Sequence, residues 1–333
     1  MKKALICVLL LAALMSLISC GQTPKPKSYV FYEYFDTVGT LYDYTGGTDS
    51  DFTALCSELD ALLMRCHRLF DIYNEYDGIN NLATVNKNAG GGPVSVDEML
   101  VDFLLYCKNM YSLTRGEVNV AFGAVLSIWH DYREAGAAVP DMAELLLASE
   151  HTDIDDLVID EENLTVELLD LEMSLDVGAI AKGYAAELAA EYIRETRGEG
   201  YALDLGGNLC AVGTKPNGDG WRTGIKNPDP LSAQRYVYTF TLADMCTVTS
   251  GSYERYYTVD GVRYHHIIDK DTLMPKDELS SVSIIARSSA LCDALSTAVF
   301  NMEYDEIKSF YDTLTDVKIV LVHKDGTVEI LEK

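Results

Sequence analysis

Between residues 51 and 70 the apolar positions Phe52, Leu55, Leu59, Leu62, Leu63, Cys66 and Phe70 recur at helical spacing, which predicts a long amphipathic helix. The segment before it, 29–44, is dense in Tyr, Phe, Val and Thr and reads as strand, turn and strand, with Gly39 as the break. Residues 71–86 are polar and rich in Tyr and Asn, and they run into Gly90-Gly91-Gly92-Pro93, so they form a loop or a short surface helix. A second helix starts at Ser95. Ser95-Val96-Asp97-Glu98 fits a capping box, and Met99, Phe103, Leu104, Cys107 and Met110 make the buried stripe that follows.

The rest of the chain alternates between the two periods. Residues 157–159 and 164–168 read as a hairpin through the turn 160–163, feeding a strand at 174–176, and 182–197 is helical up to Gly198. Short strands at 201–205, 209–212, 221–225, 236–242 and 247–250 are separated by turn residues, as in a meandering antiparallel sheet. Helices at 288–300 and 303–313 and a closing hairpin, 318–323 and 327–331 through Lys324-Asp325-Gly326, complete the pattern. The class expected is α+β: a mainly antiparallel sheet with packed helices in a single large domain, with room for two lobes.

The N-terminus breaks this pattern. Met1-Lys2-Lys3 precedes an almost unbroken apolar run from Ala4 to Ile18, too short to span a bilayer comfortably, which predicts an export signal over 1–19. Leu17-Ile18-Ser19-Cys20-Gly21 resembles a bacterial lipobox, so Cys20 is the expected lipidation site and 20–28 a short extended tether to a domain at 29–333. The formal charge is −26. That field argues against nucleic acid as a partner, and a polyanionic substrate needs a local cation patch or a bound metal. Cys56, Cys66, Cys107, Cys210, Cys246 and Cys292 show no Cys-x-x-Cys pairing and lie mostly in apolar runs, so they are expected as small buried core residues.

The densest chemistry lies in Ser174-Leu175-Asp176-Val177-Gly178-Ala179-Ile180-Ala181-Lys182-Gly183-Tyr184. Asp176, Gly178, Lys182 and Gly183 fall where a strand is expected to become a helix. The free N–H groups of a helix start, two glycines and one lysine can hold a phosphate ester there, although such a turn also serves structure alone. Asp293 and Thr297, at i and i+4, share one face of an otherwise apolar helix and supply two oxygen ligands of the kind Mg²⁺ accepts; a dipole-favoured Asp and a back-bonded Thr would look the same. Leu203-Asp204-Leu205-Gly206-Gly207-Asn208 ends a strand in a turn open to close approach. Of His265 and His266, adjacent on a strand, at most one faces any given site.

In order and spacing these segments resemble the FAD:protein FMN transferase family, also called ApbE, from about Tyr34 to Met302. Phe35-Asp36-Thr37-Val38-Gly39-Thr40 resembles its opening Met-Gly-Thr segment, Phe70-Asp71-Ile72-Tyr73 through Asn86 its Tyr-bearing flavin loop, and 116–129 its Gly-x-x-Asp-Val-x-x-Gly-x-Leu segment. Residues 176–184 match Asp-x-Gly-x-x-x-Lys-Gly-Tyr. Thr249-Ser250-Gly251, His266-Ile267-Ile268-Asp269 and Asp293-Ala294-Leu295-Ser296-Thr297-Ala298 match the last three signatures. The resemblance implies FAD as substrate, held by Val38, Tyr73, Asn119, Val120, Ala121, Asp176, Lys182, His266 and Ile267, with Mg²⁺ on Asp293, Thr297 and the carbonyl of Ala179.

It implies cleavage of FAD and attachment of FMN, through a phosphoester, to a Thr or Ser of an exported or membrane redox protein, with release of AMP. The base is His266, or Asp293 acting through the metal. Such an enzyme would sit lipid-anchored on the extracytoplasmic face of a bacterial membrane. A Mg²⁺-dependent FAD pyrophosphatase would use the same site. A non-catalytic flavin-binding lipoprotein would not require Asp293 and Thr297. Four positions depart from the pattern: Val38 for Met, Asn119 for Asp, Lys270 for Pro, and Leu273 near the usual Gly. Asn119 keeps a hydrogen-bonding role and loses a charge.

Overall fold

The computed structural model describes residues 26–333; the expected signal peptide, Cys20 and most of the tether lie outside them. The chain enters as a hairpin, β1 (Lys27–Tyr34) and β2 (Thr37–Asp43). It turns at Phe35 and Asp36, whose φ values of 53° and 55° give the left-handed pair that follows the twist of the strands. Gly39 is therefore not the break. It lies inside β2 opposite Leu205, where a Cβ would stand 3.0 Å from the leucine side chain.

Helix α1 (Asp49–Phe70) is capped by Thr48 and buries Leu55, Leu59, Leu63, Cys66 and Phe70. The short helix expected in the polar stretch is α2 (Leu82–Lys87). The next cap is displaced by two residues: Ser95 belongs to β3 (Val94–Ser95), and Asp97 starts α3 (Glu98–Leu113) by accepting the Met99 N–H. Asp97 also receives Arg65 at 2.8 and 2.9 Å, which the hydroxyl of a serine cap could not do as an ion pair. Helices α4 (Gly123–Ala135) and α5 (Met142–Ser149) follow, both absent from the sequence reading.

The hairpin β4 (Leu157–Asp160) and β5 (Thr165–Leu168) forms as expected and takes β3 as a third strand. Residues 174–176 are not the expected strand. They are held piecemeal: Gly123 donates to the Ser174 carbonyl, Asp176 to that of Val120, and the Asn86 amide both donates to and accepts from the Leu175 backbone. Then come α6 (Ala181–Arg197), β6 (Tyr201–Leu205) and β7 (Asn208–Val212).

The expected meander is interrupted next. β8 (Trp221–Lys226) and β9 (Tyr236–Leu242) leave to form their own two-stranded sheet, and β10 (Cys246–Gly251) returns to pair with β7. A further hairpin, β11 (Tyr256–Val259) and β12 (Val262–His265), precedes β13 (Leu279–Ala286), α7 (Ser289–Asn301), α8 (Tyr304–Tyr311), β14 (Lys318–His323) and β15 (Val328–Leu331).

The central sheet runs β1-β2-β6-β7-β10-β13-β14-β15 with every neighbouring pair antiparallel, so the α+β class stands. One face carries α6 and α7, packed through Ala185, Ala189, Leu295 and Val299. The other is covered by β8–β9, whose Trp221 and Leu242 meet Ala202, Ala211 and Ile285 while Ile225 meets Val320 and Val322. A smaller cluster of Trp129, Leu145, Tyr257, Ile268 and Leu273 joins α4 and α5 to β11–β12, and the Trp129 indole donates to the Leu273 carbonyl at 2.9 Å. Leu273 holds a φ of 58°, which accounts for glycine being usual near this place in the family pattern. The six described cysteines are free and buried, as their apolar settings predicted.

Candidate active site

The motif residues converge on a cavity of about 890 Å³ where the central sheet meets the smaller cluster. Its floor is the start of α6. Asp176 bends the chain by accepting the Gly178 N–H at 2.8 Å, and Lys182 follows one turn later, its Nζ 3.9 Å from Asp293 Oδ2. Gly183 donates its N–H to that same oxygen at 2.7 Å. In a regular helix this N–H would bond the carbonyl four residues back, Ala179. No backbone donor among the described residues takes its place. Gly183 is also what lets the two helices meet: a Cβ there would lie 2.4 Å from Asp293 Cβ and 2.6 Å from the Ser289 carbonyl.

Asp293 is only 4% exposed. Burial pushes its carboxyl above the ordinary range, opposed by Lys182, the Gly183 N–H and Asn208. Asp293, Thr297 and Asn301 form an i, i+4, i+8 ridge of α7 along the cavity wall, and Ser250 of β10 reaches it at 2.8 Å from Ser296 Oγ and 3.3 Å from Thr297 Oγ1. Among the described residues no three His, Cys, Asp or Glu side chains converge as a metal cluster, so zinc has no ligand set. One carboxylate, one hydroxyl and the freed Ala179 carbonyl fit a hard cation that completes its shell with water and phosphate oxygens.

His266 lines the cavity and His265 does not; the two do not share a strand as expected, because β12 ends at His265 and His266 follows it in a bend, its N–H donating to the Arg255 carbonyl at 3.1 Å. His265 is buried against Phe300 with its Nε2 at 2.6 Å from the Lys276 carbonyl. His266 Nδ1 lies 3.2 Å from the Arg255 carbonyl. A carbonyl only accepts, so Nδ1 carries the proton and Nε2 keeps its lone pair. Burial, then the charge of Arg255, lowers the imidazole to about 3, which leaves it neutral at physiological pH.

At the other end Tyr73, 63% exposed, lies 5.3 Å from the His130 ring. Asp71 sets that loop by accepting from Tyr73 N–H, Asn74 N–H and amide, and the Tyr76 hydroxyl; against the upward pull of burial these bonds keep its carboxyl below the usual range. Asn119 spends both ends of its amide on structure, accepting the Ala121 N–H at 2.9 Å and donating to the Thr152 carbonyl at 2.8 Å. An aspartate could not make the second bond, so the departure at 119 has a local reason. Val120 and Ile267 line the cavity, whereas Ala121 is in the core and Val38, 55% exposed, stands on the rim beside the lining residues Phe35, Asp36 and Thr37.

Arg255, Asn208, Asn301 and the pair His130 and Arg133 also line the cavity and were missed. Asn301 was legible as the next step of the Asp293/Thr297 ridge. Asn208 closes a motif read only as a turn.

A family model described as "ApbE family" matches residues 38–321. The chain is 32% identical over 328 residues to a protein of Treponema pallidum named FAD:protein FMN transferase, covering 93% of this chain and 88% of that one. It is 31% identical over 280 residues to a protein of Klebsiella pneumoniae with the same name, covering 82% and 86%. The crystal structure of an ApbE protein from Thermotoga maritima superposes with a TM-score of 0.81 at 25% identity, covering 92% of this chain and 96% of that one. The flavin transferase ApbE from Vibrio cholerae, at a TM-score of 0.76, 23% identity and coverage of 92% and 97%, shares the fold.

Proposed function

The chain belongs to the ApbE family, and from that premise we propose that it splits FAD at the cavity floor and passes the FMN half to a Ser or Thr hydroxyl of a protein acceptor. One observation carries the reading. A buried carboxylate, a lysine and a helix start converge where the family pattern expects the diphosphate, and Gly183 gives its N–H to Asp293 so that the Ala179 carbonyl is free to face a cation.

Lys182 holds the diphosphate and screens its charge, the N–H groups of Ala181, Gly183 and Tyr184 at the start of α6 being already taken by the Val177 carbonyl, Asp293 and the Ile180 carbonyl. Asp293, Thr297 and the Ala179 carbonyl would hold Mg²⁺. The bound ion would neutralise charge on the diphosphate and on the departing phosphate. Neutral His266 offers Nε2 to the acceptor hydroxyl. As the proton leaves, the acceptor oxygen bonds to the phosphorus of the FMN half, and the bond between that phosphorus and the bridging oxygen breaks to release AMP. Burial is the larger cause of the lowered basicity of His266, and an anionic substrate offsets only the lesser part that comes from Arg255 and Lys182.

Incubation with FAD, Mg²⁺ and exported or membrane proteins from the source cell is expected to produce a protein band that stays fluorescent after denaturation, with one AMP released per flavin attached. Release of free FMN and AMP with no labelled protein would replace this reading with a FAD pyrophosphatase.

We read residues 1–19 as an export signal and Cys20 as a lipid anchor, which would place the enzyme on the extracytoplasmic face of a bacterial membrane near redox proteins it could modify. No helix among the described residues is long and apolar enough to cross a membrane, so in this reading the lipid is the anchor. Cys20→Ser is expected to release the protein from the membrane fraction or stall its maturation, while a chain starting at Ser28 stays in solution and transfers FMN. Membrane partition of that shortened chain would sink the assignment.

A further inference from the structure

The cavity continues past the end of the sheet. The β6–β7 hairpin stops at Gly206 and Gly207, which hold φ values of 60° and 93°. β7 and β10 then pair only at Cys210↔Cys246 and Leu209↔Thr247, while β10 runs on to Gly251 against β13. Side chains alternate along β10. Ser250 faces α7 and meets Ser296 and Thr297, so Thr247 and Thr249 face the opposite way, and Thr249 indeed meets Ser283 at 2.7 Å. The lining therefore wraps onto the face covered by β8–β9, where Leu209, Thr223, Phe240, Thr247 and Thr249 form a second lobe.

None of the residues assigned above to FAD or the cation belongs to this lobe. Thr247 is 8% exposed and its Oγ1 has no hydrogen-bond partner among the described residues, a costly state for a buried hydroxyl unless a ligand meets it. Four consecutive residues of β8, Thr223, Gly224, Ile225 and Lys226, line the lobe. Alternating side chains alone would place every second residue there, so it is the backbone edge of the strand that faces the cavity. Among the described residues β9 is the only strand paired with β8, and no other backbone hydrogen bond reaches 222–226. Such an edge takes up an extended chain. The lobe has no cation cluster to suit a second nucleotide, since Lys226 lies 3.5 Å from Glu254.

We propose that this second lobe receives the acceptor as an extended segment along the free edge of β8, its reactive Ser or Thr reaching past Thr247 and the Gly206-Gly207 turn to the diphosphate. The proposal rests on the transferase reading and deepens it. An in-line displacement needs the incoming oxygen opposite the departing one, and an entry around the sheet end supplies an approach separate from that of FAD.

The probe is the soluble domain of the protein that takes up flavin in the assay above. Thr223→Trp fills the lobe and Thr247→Val removes the unpartnered hydroxyl without changing shape. Each is expected to raise the KM for that domain about tenfold, equivalent to ~1.4 kcal/mol, while FAD affinity and acceptor-free FAD cleavage stay within about twofold of wild type. In wild type, the same domain with its reactive residue changed to Val is expected to protect the amides of 222–226 from hydrogen exchange, a measurement independent of how either variant folds. Unchanged KM in a folded Thr223→Trp protein, or protection confined to other segments, overturns the proposal. If wild type labels no protein at all, it is the transferase reading that has failed.

Discussion

Asp293→Ala is expected to abolish FMN transfer, by roughly 10³-fold or more, while leaving a folded protein that still binds FAD. The residue is a charge buried at 4% exposure whose partners are the Gly183 N–H and Lys182, so its carboxylate is held in place and does little packing. Truncation leaves the Gly183 N–H without its acceptor, a cost of about 1–3 kcal/mol, so some loss of stability accompanies the loss of rate. Asp293→Asn separates the two effects, because the amide oxygen can still accept from Gly183 while the charge is gone. Stability is expected to return and transfer is not. Full Mg²⁺-dependent transfer by either variant, measured with FAD and acceptor at saturation, would remove Asp293 from the cation site.

Gly183→Ala is expected to be strongly destabilising and to impair transfer with it. The added methyl group would meet Asp293 Cβ at 2.4 Å and the Ser289 carbonyl at 2.6 Å, atoms fixed by a helix that is itself packed in the core. Neither can give by a rotamer change, so α6 and α7 must separate, at a cost of about 3 kcal/mol. Separation also lengthens the Gly183–Asp293 bond that places the carboxylate. Urea unfolding is expected to show a lower midpoint with an unchanged slope, and transfer is expected to fall together with stability. A variant as stable and active as wild type would show that the helices slide apart freely and that their close contact does not set the site.

Much of this was readable along the chain, for specific reasons. α1 and α6 show an uninterrupted apolar stripe, and the strands β6, β7 and β9 lie between strong turn residues. α4 was not visible because its cavity face carries His130 and Arg133 beside the buried Val125 and Trp129, which blurs the helical period. β13 was hidden for a related reason: Ser281 and Ser283 are fully buried within it, so polar residues stand where alternation predicts apolar ones. The cap at Asp97 was misplaced because the Arg65 ion pair that favours it comes from another helix. In the site, the Asp293/Thr297 ridge is a local spacing and could be read directly. The bond from Gly183 to Asp293 joins residues 110 apart in sequence, and the release of the Ala179 carbonyl depends on it, so only the folded chain displays that step.

The six buried cysteines have a consequence for the lifetime of the protein. The six described cysteines are free, and burial raises the thiols of Cys56, Cys66, Cys107 and Cys292, so in the native state these four offer almost no thiolate to react. Unfolding would expose all of them together. In an oxidising compartment the unfolded chain would then be captured by wrong cross-links faster than it could refold, which turns a reversible equilibrium into a one-way exit. In such a compartment the working life of this protein would accordingly be governed by the height of its unfolding barrier, with the depth of its native energy well a secondary matter.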